Sequence, residues 1–328
     1  MTTTQATTPA SAAPGIDRPA LDDVRTAPPA TAPAPAAVTP ARLPSFDLRA
    51  AATTTAAWTA ATLLGVALVA YLVGPLIAAR EQRALLVELR QDVVQAAGSA
   101  TDSLLGPAPV TRSTALGGPV ALLQVPRLDL QQVVVEGVDP ARTRTAPGHV
   151  PGTAGVGQPG NAVVVGRGST WGRAFARLDE LRAGDQLVTT TPQGQSLYVV
   201  EEVRRDVPVD GSTGDATPTD RLTLLTSSSV LPWVGDRGTV VVAALQTRPF
   251  TPTPQNGRSD EQDGRSADPS ALPLVVLCLL ALGATTAIAT SLYRRWSATG
   301  TYVGTTPALV ALVVFLALAT SRLLPAWA

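Results

Sequence analysis

The sequence predicts a mainly β domain, a small closed barrel or sandwich, joined to three transmembrane helices and preceded by a disordered tail. Three observations carry that prediction. Short β-branched runs separated by Gly, Pro and Asp crowd the stretch from Val120 to Phe250. Three apolar stretches, one before that region and two after it, are long enough to cross a bilayer. The opening of the chain, typified by "PPATAPAPAAVTPA", has no hydrophobic period.

Composition narrows the function. Among 328 residues the 25 basic and 25 acidic side chains cancel, so no global charge favours nucleic acid or an acidic partner. Every basic residue is arginine. The single cysteine, Cys278, lies in an apolar run where a buried, inert thiol is the default, and one thiol forms no internal disulfide. His149 is the only histidine, so neither a multi-histidine metal site nor a cofactor is expected.

Residues 1–54 carry too little apolar bulk to offset ordering entropy and are expected to form a disordered cytoplasmic tail. The first apolar segment comes too late for a secretory signal. Residues 55–79, around "AWTAATLLGVALVAYLVGPLIAA", are a first transmembrane helix, covering about 35 Å at ~1.5 Å per residue. Pro75 near its end is tolerable in a membrane helix. In residues 80–118, Leu85, Leu86, Leu89, Val93 and Val94 share one helical face, so a juxtamembrane amphipathic helix precedes a Gly/Pro/Ser/Thr linker.

Residues 119–250 hold the strands: "VALLQVPRL", "LQQVVVEGV", "NAVVVG", "DQLVTTT", "QSLYVVEEVRRDVPV", "DRLTLLTS" and "GTVVVAAL". The fifth run is long enough for two strands, and one helical piece, "RAFARLDELR", sits among them. About eight strands in ~130 residues suit a barrel or a sandwich. Residues 251–270 are a flexible linker, 271–293 and 302–323 the second and third spans, and 294–301 a short loop between them. Arg294 and Arg295 place that loop in the cytoplasm by the positive-inside rule. The expected topology is a multi-pass plasma-membrane protein with its N-terminal side inside and the β domain outside. Arg80, Arg83 and Arg90 pull weakly the other way.

The β region also carries "VPRLDLQQVVVEGVDP", "APGHVPGTAGVGQPGNAVVVG", "STWGRAFARLDELRAGD", the Tyr198 strand and "LTLLT", in that order. In these it resembles the sortases, above all the class D and E kind of actinobacteria. The resemblance implies an eight-stranded β-barrel and a cell-surface transpeptidase that acts through a histidine, a cysteine and an arginine. The cysteine attacks a carbonyl of a sorting-signal peptide, and an amine resolves the thioacyl enzyme. The family's histidine follows the glycine that ends the "GNxxxxG" strand, where this sequence has Arg167. The cysteine ends the "TLxTC" strand, where Ser227 stands, preceded by Thr226. The arginine opens the final strand and corresponds to Arg237.

The two substitutions remove the chemistry. A thiolate is accessible near neutral pH because a thiol titrates at ~8.5 and a neighbour lowers it further. A serine hydroxyl needs a positioned base, and a guanidinium has no acceptor with which to be one. In a serine protease, losing nucleophile or base costs about 10⁶-fold in turnover, roughly 8 kcal/mol of barrier.

The expectation is therefore a catalytically inactive sortase homologue that binds a peptide, a cell-wall component or a protein partner. Gly283, Ala284 and Ala287 would permit a membrane partner to approach the second span. The rival reading is an acyltransferase or hydrolase with Ser227 as nucleophile and His149 as base; otherwise Ser227 is a polar strand end and His149 a packing residue. A purely structural component is the third reading. Arg167 reads either as a residue filling the old site or as a solvated surface arginine, and Trp171 and Trp233 as groove aromatics or ordinary packing.

Overall fold

The computed structural model describes residues 48–101, 112–208, 217–229, 237–254, 267–293 and 298–327. Residues 1–47 of the expected tail, parts of both linkers, Arg294, Arg295 and Trp233 lie outside them, whereas residues 48–54, expected in the disordered tail, are helical.

Eight strands close into a barrel in the order β1-β2-β3-β4-β7-β8-β6-β5. They are β1 (Pro119–Val125), β2 (Leu130–Glu136), β3 (Gly148–His149), β4 (Asn161–Val165), β5 (Gln186–Thr191), β6 (Gly194–Pro208), β7 (Arg221–Ser227) and β8 (Arg237–Leu245). Of the two architectures left open by strand count, closure selects the barrel: β5 returns to β1 through Leu122↔Thr190. Alternation decides what fills it. Ala121, Leu123 and Val125 of β1 point inward with Val164, Leu222, Leu224, Tyr198, Val200, Val241 and Ala243.

β4 and β7 pair in parallel, and β4 is buried at all five positions. The run Asn161–Val165 does not alternate because both faces are covered. Its outer face, with Leu225, Val240 and Val242, forms a second apolar cluster.

Three elements differ from the sequence expectation. β3 has two residues, too short to leave a periodic signal. A Cβ on Gly148 would lie 2.2 Å from the Gly137 carbonyl, so only glycine admits this close approach. The run Gly194–Pro208 is one strand, bent by bulges at Val200/Glu202 and Arg204/Val207, and not two. The expected helix in "RAFARLDELR" is only a 3₁₀ turn at Leu178–Glu180. Its buried residues Phe175, Leu178 and Leu181 recur every third position, the period of a 3₁₀ helix.

α1 (Leu48–Leu68), a π-helical turn (Val69–Val73) and α2 (Gly74–Thr101) form one continuous rod, so the membrane span and the amphipathic helix are not separate elements. Pro75 explains the π turn. The Gly74 N–H bonds to the Val69 carbonyl, and the next donor in that register would be Pro75, which has no N–H. The orphaned Ala70 carbonyl accepts from the Trp171 N–H at 3.2 Å instead. Further along, the Gln82 amide accepts from the Val133 N–H at 2.7 Å and donates to the Val133 carbonyl at 3.1 Å, docking α2 on β2 as an extra strand residue would.

α3 (Leu272–Tyr293) and α4 (Ala298–Thr320) form a hairpin. Three helical stretches, within Ala56–Gly98, Pro269–Leu292 and Thr299–Thr320, are long and apolar enough to cross a membrane. The Asp268 N–H donates to the Arg322 carbonyl at 2.9 Å, so the start of α3 and the end of α4 meet.

Candidate functional site

Strand register brings three of the sequence-selected positions together. β4 pairs with β7 as Val165↔Leu225, and the Gly166 N–H donates to the Leu225 carbonyl. Continuing that register sets Arg167 level with Ser227. Across β7, Ser227 faces Gly238 of β8, one residue from Arg237. Gly168 closes the corner: a Cβ there would lie 2.8 Å from the Thr226 hydroxyl and 3.0 Å from the Ser227 carbonyl.

Arg167 is 1% exposed, so it is not a solvated surface arginine. Its guanidinium donates to the Pro140 carbonyl at 2.9 Å, the Ser321 carbonyl at 3.0 Å and the Thr170 hydroxyl at 3.1 Å. Burial first, and the neighbouring Arg144 charge second, push its pKa down to about 9, so it stays a cation at neutral pH. A cation is well placed there. Ser321 follows the last turn of α4, where unpaired carbonyls and the negative dipole end gather. The Nε of Arg167 has no partner.

Ser227 closes β7 half-buried. Its hydroxyl accepts from the Ser229 N–H at 3.1 Å, and its own N–H donates to the Trp327 carbonyl at 2.9 Å. Thr226, beside it, is buried with an unpartnered hydroxyl. Arg237 is exposed and engaged with Asp206. Its Nε donates to the Asp206 carboxylate at 2.8 Å, and a second N–H donates to the Asp206 carbonyl. Ser228 donates to the same carboxylate at 3.2 Å. The Arg237 hydrogen bond, with a smaller one from Ser228, holds the exposed Asp206 carboxyl below its usual range.

His149 lies elsewhere. β2 and β3 pair as Glu136↔His149, and both side chains are buried. Nδ1 is 2.9 Å from the Glu136 carboxylate, and Nε2 lies 2.8 Å from the Ala154 carbonyl and 3.2 Å from the Thr153 hydroxyl. Among the described residues, no imidazole is bonded to the Ser227 hydroxyl.

Trp171 is not a groove aromatic. It is 1% exposed and packs with Val69 of the π turn and Ala317 of α4. It takes φ +58°, with the Arg144 guanidinium 5.1 Å from its ring centre. Gly74 permits this approach, since a Cβ there would meet the indole at 2.8 Å. Below Trp171 a cavity of about 1090 Å³ opens between the helices, bordered by Leu63, Val66, Leu279, Gly283, Ala287 and Leu316. Among the described residues, no group of three His, Cys, Asp or Glu could hold a metal ion.

Sequence reasoning missed Ser321, Ala326 and Trp327, which the fold brings to this site. The only signal was indirect: "NAVVV" lacks alternation, so something covers the outer face of β4.

A closed eight-stranded barrel, held on three apolar helices, with three converging positions at the ends of β4, β7 and β8, defines an architecture of the sortase type. The family model of the sortase domain matches residues 123–246. The chain is similar to sortase E from Streptomyces avermitilis, at 29% identity over 42% of this chain and 93% of that one, TM-score 0.36. A mutant of that sortase E is 30% identical, with the same coverage and TM-score. It is also similar to a Clostridium perfringens sortase D5 transpeptidase, at 20% identity over 51% of this chain and 98% of that one, TM-score 0.43. The comparison with curated proteins found no match. By that family model, residues 123–246 of the barrel are a sortase domain.

Proposed function

We propose that this chain is a membrane-anchored, catalytically inactive relative of the class D and E sortases, whose barrel holds a peptide, a cell-wall component or a protein partner at the end of β7. One observation carries the reading. A buried guanidinium occupies the position level with Ser227, and it is spent on the Pro140, Thr170 and Ser321 oxygens. It offers no acceptor for a serine proton, so Arg167 cannot supply the base that hydroxyl attack requires. Arg237, drawn to Asp206, is a peptide anchor at most.

The orientation we propose puts the barrel outside the plasma membrane and the N-terminal side of α1 in the cytoplasm. In sequence, Arg294 and Arg295 fall between α3 and α4, and the barrel binds the opposite end of α4 through Arg167 and Ser321. Gly283 has open space around its Cα, which suits a membrane partner packed closely on α3.

The test is a cleavage and labelling assay on the detergent-solubilised full chain. Neither turnover of sorting-signal peptides nor fluorophosphonate labelling should exceed that of Ser227→Ala. Turnover or labelling that disappears in Ser227→Ala rejects the reading.

A further inference from the structure

We propose that the peptide seated at the end of β7 is the chain's own segment Arg322–Trp327, held in cis, so that a peptide from elsewhere enters only when that segment leaves. The inference rests on reading the end of β7 as a peptide site.

The segment is held at both ends through its main chain. At its start, Arg167 grips the Ser321 carbonyl at 3.0 Å, while Arg144 reaches the Ser321 hydroxyl at 3.5 Å. At its end, the Trp327 carbonyl accepts the Ser227 N–H at 2.9 Å. Main-chain pairing to a strand end is how extended peptides are taken up, with side-chain pockets adding selectivity. Here that role falls to the apolar outer face of β4, β7 and β8. Ala326, at 0% exposure, is buried against Val163, Val165, Leu225, Val240 and Val242. Pro325 brings no N–H that would need a partner.

The outer face explains why an occupant is needed. Left bare, the valines and Leu225 would present a contiguous apolar patch beside a membrane-tethered barrel. The tether explains why the occupant is internal. Ser321 is already fixed at the end of α4, and a short link raises the effective concentration of the segment to about millimolar. The seat is nonetheless imperfect: the Trp327 indole N–H is buried without a partner, which favours release.

The probe is a labelled synthetic peptide, RLLPAWA, matching residues 322–328. The proteins are the full chain, a chain shortened to end at Ser321, and the full chain with Ala326→Arg, all in detergent. The shortened chain should bind the peptide saturably, and the full chain about 100-fold more weakly, because the tethered copy competes. Ala326→Arg ejects its own segment and should bind like the shortened chain, which keeps the test decisive if shortening disturbs folding. Equal binding to the full and altered chains, or binding to none of them, overturns the seat. Cleavage of the peptide that Ser227→Ala abolishes would remove the non-catalytic reading while leaving the seat in place. Absence of both binding and cleavage would remove the seat and leave that reading standing.

Discussion

The Arg167 guanidinium donates to the Ser321 carbonyl at 3.0 Å, joining the end of β4 to the end of α4 across 154 positions of sequence. Arg167→Met should lower the thermal midpoint of the detergent-solubilised chain, because the Ser321 and Pro140 carbonyls lose a buried donor. Each unpaired carbonyl costs about 1–3 kcal/mol, partly offset by removing a desolvated charge. Arg167→Lys should fall between the two, since one ammonium lacks the planar fork that spans both acceptors. A midpoint in Arg167→Met at or above the parent would refute this.

Trp171 clamps the barrel to the apolar helices. Trp171→Ala removes an indole packed against Val69 and Ala317, and should cost about 3–5 kcal/mol, as for buried aromatics elsewhere. Its N–H to Ala70 survives the change, so the loss is one of packing. Limited proteolysis should show faster cutting of the variant near 168–174, and an unchanged digestion pattern would argue against the clamp.

Gln82 is a polar latch between α2 and β2. Gln82→Leu leaves the Val133 N–H and carbonyl unpaired and should destabilise by about 1–3 kcal/mol. Gln82→Glu keeps the acceptor and loses the donor, setting a carboxylate oxygen against the Val133 carbonyl. It should melt no higher than Gln82→Leu. Hydrogen exchange at Val133, faster in Gln82→Leu than in Gln82→Glu, which keeps the acceptor for that N–H, gives the site-specific check.

The Asp206 carboxyl is held low by Arg237, and the sign of its pH dependence follows. A carboxyl with a depressed folded pKa contributes stability above its unfolded value of ~3.9, lost as pH falls through the folded pKa. Arg237→Gln should raise the Asp206 titration towards that unfolded value, measured by carboxyl-carbon NMR. A titration unmoved by the change would mean that Arg237 does not set it.

Much of the barrel was legible because its strands are local patterns. β1 alternates, β7 reads "LTLLT", and the three apolar helices announce themselves by length. β3 was not legible, since two residues carry no period and its pairing depends on Gly148 meeting Gly137. The π turn was hidden for another reason: Pro75 is tolerable in a membrane helix, and only Trp171 reveals which carbonyl it orphaned. The helix expected in "RAFARLDELR" failed because Phe175, Leu178 and Leu181 follow a three-residue period into the core.

At the site, the residue types were determined by the sequence alone. An arginine at 167 and a serine at 227 remove imidazole and thiol wherever the chain folds, because acceptor capacity and acidity belong to the side chain itself. What surrounds those residues was decided only by tertiary structure. Burial of Arg167, the turn of Arg237 towards Asp206, the retreat of Trp171 to the helices and the arrival of Trp327 at Ser227 all depend on partners far along the chain. Long-range packing and hydrogen bonding choose those partners, and neither leaves a periodic trace in the sequence around a single residue.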